Sequence, residues 1–164
     1  MRTHWLALLM AVVLTACATP SRRAQSAGAE STNLPEWQGR ISVQVLGQAP
    51  SSMSASFWLR GNENHGELDI YSPLGTTLGT LQWTPQAVEL SEGGKLRYFQ
   101  SLAELTEQTT GAALPIDAMF GWLQGRETQA PGWQADLSRL AKGTLNARRS
   151  NPLPEVTLRI QLDP

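Results

Sequence analysis

The sequence predicts a mainly β fold of the α+β kind: one curled antiparallel sheet with two short helices laid over its apolar face. Three observations carry this. From Trp37 onward apolar residues recur mostly at every second position, the period of a half-buried strand. Charged residues make up only 16% of the chain, and 14 Gly and 10 Pro are spread along it, a composition that suits neither a helical bundle nor a coiled coil. The length, 164 residues, fits one globular domain.

The chain opens with a different pattern. Arg2 precedes an unbroken apolar run from Trp5 to Leu14, followed by Thr15, Ala16 and Cys17, the layout of a secretory signal over residues 1–16. Ten apolar residues are too few to span a bilayer. Leu14-Thr15-Ala16-Cys17 resembles a bacterial lipobox, which implies that Cys17 is lipidated and becomes the first mature residue. Ala18 follows where an Asp would resemble the inner-membrane retention signal, so the outer membrane is the expected destination. Residues 17–36 are small and polar apart from Leu34 and read as a flexible tether, with a reach of roughly 25 Å. The folded domain is expected over 37–164.

Within that domain Ile41, Val43 and Val45 alternate with polar residues, as do Met53, Ala55, Phe57 and Leu59. Both stretches read as strands with one apolar face. Gly61 to Gly66 is a turn, and Leu68 and Ile70 continue the alternation beyond it. Leu78 to Trp83, Ala87 to Leu90 and Lys95 to Phe99 are further short strands, with Thr84-Pro85 and Glu92-Gly93-Gly94 at the turns between them. Short connections predict a meander. Ser101 and Glu104 have the spacing of a capping box and Gly111 that of a C-cap, predicting a helix over 102–110 whose apolar side is thin. A second helix starts near Pro115, places Ile116, Met119, Phe120 and Leu123 on one stripe, and stops at Gly125. Strands resume at Trp133, Ala135 and Leu137, more weakly at Thr144 to Arg149, and clearly at Val156, Leu158, Ile160 and Leu162.

A one-sided sheet of about eight or more strands must bury its apolar face against something. Two helices either pack it fully or leave an apolar cavity beneath them as a lid. The side chains that share this face and would line such a cavity are Val43, Phe57, Leu59, Leu68, Ile70, Leu81, Ile116, Met119, Phe120 and Leu123. One turn is unusual: Pro73 and Gly75 flank Leu74, so a bulky apolar residue sits at a turn tip. Leu74 either folds back to plug the end of the sheet or stands out as a contact for membrane or substrate.

Several chemistries are excluded on residue counts. One Cys and two His leave no internal disulfide, no soft-ligand metal site and no redox pair. A net charge of −1 without a basic stripe argues against nucleic acid. His65 lies in a Gly- and Asn-rich turn away from any nucleophile, the carboxylates are scattered, and Gly93-Gly94-Lys95 fits a hairpin rather than a phosphate loop. No enzyme and no cofactor are expected.

The lipobox, Trp37-Gln38-Gly39-Arg40-Ile41, Ser72-Pro73-Leu74-Gly75, and Leu114-Pro115 followed by Trp122-Leu123-Gln124-Gly125 and Trp133 together resemble the LolB family of outer-membrane lipoprotein receptors. The resemblance covers nearly the whole chain and rests on the order and spacing of motifs that are individually weak. It implies an unclosed half-barrel with helices as a lid, and a cavity that takes lipoprotein acyl chains from the periplasmic carrier LolA. It implies delivery of those lipoproteins into the outer membrane by a lipid-anchored, periplasm-facing monomer. It further implies that Pro73, Leu74 and Gly75 form a protruding loop that assists insertion. A structural envelope-assembly lipoprotein acting through protein contacts, with no lipid cavity, is the competing reading.

Overall fold

The computed structural model describes residues 34–164, so the signal, Cys17 and nearly all of the tether expected from the sequence lie outside the described residues. Nine strands form one antiparallel sheet: β1 (Glu36–Leu46), β2 (Ser51–Gly61), β3 (Gly66–Tyr71), β4 (Thr77–Trp83), β5 (Val88–Glu92), β6 (Lys95–Phe99), β7 (Trp133–Asp136), β8 (Thr144–Arg149) and β9 (Glu155–Leu162). Two helices, α1 (Leu102–Thr110) and α2 (Ile116–Leu123), lie between β6 and β7 in sequence. A single 3-10 turn, Leu140–Lys142, precedes β8.

The sheet order is β6-β5-β4-β3-β2-β1-β9-β8-β7. A simple meander would put β1 at an edge. Instead the first and last strands pair, Ile41 opposite Ile160 and Val43 opposite Leu158, and β1 lies near the middle of the sheet. The helices interrupt the meander after β6, and the last three strands extend the sheet on the other side of β1. The edge strands β6 and β7 do not pair, and the sheet is unclosed.

Register explains the core. Cross-strand partners point to the same face, and the rows Phe57–Ile70 and Leu59–Leu68–Leu81–Leu90 run across the inner face as continuous apolar ladders. Phe120, fully buried, is the keystone of α2. Its ring meets Trp37 at 5.7 Å and Trp83 at 5.9 Å, both in inclined geometry. Trp83 in turn donates its indole N–H to the Asn62 carbonyl at 3.1 Å.

Two differences from the sequence reading have local causes. Leu137 falls outside β7, because the Asp136 carboxylate accepts the Ser138 N–H at 3.0 Å and turns the chain there. The weak alternation of β8 reflects Arg149 at an inner-face position. It is only 8% exposed, donates to the Ala113 and Pro154 carbonyls at 3.4 and 3.3 Å, and lies over Trp133.

The outer face carries a cross-strand polar network on β2, β3 and β4. Arg60 pairs with Glu67 and, at 2.7 Å, with Asp69, while its guanidinium stacks 3.8 Å from the Trp58 ring. Thr80 donates to Asp69 at 2.6 Å and Gln82 to Glu67 at 2.6 Å. Burial pushes the Asp69 carboxyl up, but hydrogen bonds from Thr80 and Arg60 together with the Arg60 charge outweigh it and hold the group below its ordinary value. A lowered carboxyl pKa contributes stability that is complete above the ordinary carboxylate range and disappears as pH falls through the folded-state value. Asp69→Asn should therefore cost about 1–3 kcal/mol at neutral pH, with the difference from the parent vanishing in acid. Denaturant melts across pH check this, and an undiminished difference in acid would mean that charge is not the cause.

Candidate functional site

Between α1 and strands β1 to β5 lies an apolar pocket of about 220 Å³. Its walls are Ile41, Met53, Leu68, Ile70, Leu81 and Leu90 from the sheet, Leu105, Thr106, Thr109 and Thr110 from α1, and Leu114 and Ile116 from the segment leading into α2. Leu78, Gly79 and Glu92 complete it. Leu78, Glu92 and Thr109 are exposed, which places the mouth at the rim where β3 ends and β4 begins.

The helix wall is built from threonines. Leu102, Leu105, Thr106 and Thr109 fall at i, i+3, i+4 and i+7, and the threonine hydroxyls turn back onto their own helix. Thr106 donates to the Leu102 carbonyl at 2.9 Å, Thr109 to that of Leu105 at 2.9 Å and Thr110 to that of Thr106 at 2.7 Å. Thr106 also accepts the Leu114 N–H at 2.9 Å. With the hydroxyls satisfied locally, threonines can line an apolar space without leaving a polar group unpaired. Counting large aliphatic residues alone makes this helix face look thin, and the threonine spacing is the signal that such counting misses. The N-terminus of α1 is capped as its sequence predicts, Ser101 accepting the Glu104 N–H at 3.1 Å while Glu104 accepts the Gln100 N–H at 2.8 Å.

Of the ten side chains that share the apolar face in sequence, Leu68, Ile70, Leu81 and Ile116 lie on the pocket wall. Val43, Phe57, Leu59, Met119, Phe120 and Leu123 are buried in the packed core and do not border the pocket. Ile41, Met53, Leu78, Leu90, Leu105 and Leu114 border it in addition. A larger recess of about 520 Å³ flanks β7, but Gln129, Gln134, Arg148, Ser150 and Asn151 among its walls give it mixed polarity unsuited to a hydrocarbon chain.

Leu74 is 94% exposed at the tip of the β3–β4 connection. The turn is held from within: Gly75 donates to the Ser72 carbonyl at 2.9 Å, Ser72 to that of Thr76 at 2.8 Å, and the Ser72 hydroxyl accepts the Thr76 N–H at 3.2 Å. Pro73 brings a fixed φ to the second turn position, and Gly75 supplies the left-handed φ of 81° that closes the hairpin. These bonds leave the Leu74 side chain pointing away from the sheet. His65 is exposed in its turn, its N–H donated to Asn62. Among the described residues no three His, Cys, Asp or Glu are placed to hold a metal, and no helix is long and apolar enough to cross a membrane.

Comparison with known proteins gives one consistent result. The family model described as "Outer membrane lipoprotein LolB" matches residues 36–155. The outer-membrane lipoprotein LolB of Cupriavidus metallidurans is 30% identical over 158 residues, spanning 92% of this chain and 76% of that protein. Its counterpart in Cupriavidus pinatubonensis is 31% identical over 149 residues, spanning 88% and 71%. That of Shewanella oneidensis is 30% identical over 91 residues, spanning 56% and 41%. With an unclosed antiparallel sheet under two short helices and a family match across β1 to β8, this chain belongs to the LolB family of outer-membrane lipoproteins.

Proposed function

We propose that this protein is a non-enzymatic receptor that accepts lipoproteins from the periplasmic carrier LolA, holds their acyl chains beneath α1, and inserts them into the outer membrane. Family membership supports a role in lipoprotein localisation. The observation that carries the finer reading is the apolar pocket whose mouth opens at the rim bearing exposed Leu74. On this reading Cys17 is the lipid anchor, residues 18–36 tether the domain, and Pro73, Leu74 and Gly75 form the insertion tip. No nucleotide chemistry is invoked. Burying an acyl methylene is worth about 0.8 kcal/mol, so a modestly better fit than the carrier's is enough to drive transfer.

At about 220 Å³ the pocket is smaller than the roughly 300–1,000 Å³ typical of ligand sites, and seating a lipoprotein's chains requires it to widen. We assign the movement to α1. Only Leu105 and Thr106 of that helix are buried, whereas every residue of α2 except Asp117 is. An element with little buried surface opens at the least cost.

Ile70 tests the reading, because it lies on the pocket wall and is half-buried. A carboxylate there should weaken binding of a hydrophobic dye or an acylated peptide at least about tenfold, the equivalent of 1.4 kcal/mol. Circular dichroism must show that Ile70→Glu stays folded, and Leu78→Glu at the exposed mouth provides a milder second variant. Undiminished acyl binding by both folded variants would refute a pocket at this site and favour a lipoprotein that acts through protein contacts. Phe57 is the poorer choice, since its burial in the core makes substitution there a test of packing.

A further inference from the structure

The strand directions bring four connections to one rim: β1–β2 (47–50), β3–β4 (72–76), β5–β6 (93–94) and β8–β9 (150–154). In sheet order the 72–76, 47–50 and 150–154 connections are consecutive, about 10 Å apart at the usual strand spacing. None of the three contains a charged residue. The opposite rim differs, carrying Glu36, Glu63, Lys142 and Asp163 in or beside its connections and strand ends.

The uncharged stretch has a leucine at each end. Leu74 and Leu153, 94% and 80% exposed, are the two most exposed large apolar side chains among the described residues. Leu153 lies between Pro152 and Pro154 in a turn fixed from beneath. The Pro154 carbonyl accepts from the buried Arg149 at 3.3 Å, and Pro154 abuts Gly47 of the neighbouring connection. The Arg149 cation is buried beneath the turn, and the two exposed-side charges that flank it, Arg148 and Glu155, pair at 2.7 Å.

We propose that Leu153 is a second membrane-contact residue, and that the rim from the 72–76 turn through 47–50 to the 150–154 turn is the face this domain lays on the phospholipid bilayer. The inference extends the reading of Leu74 as a membrane tip and rests on it. Two apolar side chains about 20 Å apart on one rim do what a single tip cannot, since they fix the tilt of the sheet against the membrane as well as its contact. Each leucine gains by entering the acyl boundary, and an uncharged rim between them lets both do so without desolvating an ion.

The test uses the full chain carrying Leu74→Cys, Leu153→Cys or, as a control from the opposite rim, Asn64→Cys. Each thiol is labelled with the environment-sensitive fluorophore NBD, and the unsubstituted chain serves as the labelling blank for Cys17. The proteins are reconstituted in phosphatidylethanolamine–phosphatidylglycerol vesicles containing lipids with a nitroxide high on the acyl chain. Labels at 74 and 153 should both show blue-shifted emission and loss of intensity to the nitroxide, and the label at 64 neither. Quenching at 74 but not at 153 would overturn the second contact and leave the Leu74 reading standing. Quenching at neither would overturn both contacts, and equal quenching at all three would show that no rim is selected.

Discussion

Replacing Phe120 by alanine should destabilise the domain by about 3–5 kcal/mol, the range for removing a fully buried aromatic ring from a packed core. The ring has no solvent-exposed surface and is wedged between Trp37 of β1 and Trp83 of β4, so its loss opens a cavity that neither rigid indole can fill. Against a typical total of 5–15 kcal/mol this is a large share, and it should lower Tm by about 10–20 °C for a domain of this size. Thermal melts by circular dichroism measure it directly, and tryptophan emission should shift to the red as Trp37 and Trp83 gain water. Phe120→Leu, which leaves a smaller void, should recover part of the loss. A Tm within two or three degrees of the parent would show that α2 is not anchored by this ring, and the proposed movement of α1 would lose its contrast.

The largest functional effect is expected at Leu74. Since its side chain makes no packing contribution at 94% exposure, Leu74→Glu should leave stability within about 0.5 kcal/mol and leave acyl binding intact. What changes is the encounter with the bilayer. A leucine entering the acyl boundary gains about 1.5–3 kcal/mol, and a carboxylate forfeits that gain and meets anionic headgroups besides. On the proposed function, transfer of a lipoprotein from LolA should proceed, while its insertion into liposomes should slow roughly ten- to hundredfold. Leu74→Ile, which keeps the apolar tip, should insert nearly as well as the parent. Insertion at parental rates by a folded Leu74→Glu protein would remove this loop from the delivery step.

Much of this architecture is written in residue periodicity, and the parts that are not share a physical reason. Alternation along β1 to β4 identifies the strands and their apolar face because side-chain direction in a strand depends only on position. It does not say which residues on that face lie in the packed core and which border space beneath α1. Phe57 and Ile70 are cross-strand neighbours on one face, yet the first is core and the second is pocket wall. That difference is set by helix placement, which is tertiary. The pairing of β9 with β1 is likewise invisible to local pattern, because it joins residues at the two ends of the domain. Arg149 obscures β8 for a different reason, since an inward-facing cation contradicts the alternation rule and is tolerated only because two carbonyls and the Trp133 ring receive it. Leu74 was legible as a turn residue from Pro73 and Gly75, but its outward orientation depends on the hydrogen bonds inside the turn.

The threonines of α1 bear on what a lifted helix would expose. A helix faced with leucine would, on lifting, bare an adhesive apolar surface. Thr106, Thr109 and Thr110 line the pocket while their hydroxyls rest on helix carbonyls. Once lifted, those hydroxyls can rotate to water, and the same face becomes wettable. If α1 opens as proposed, the open domain would then resist self-association.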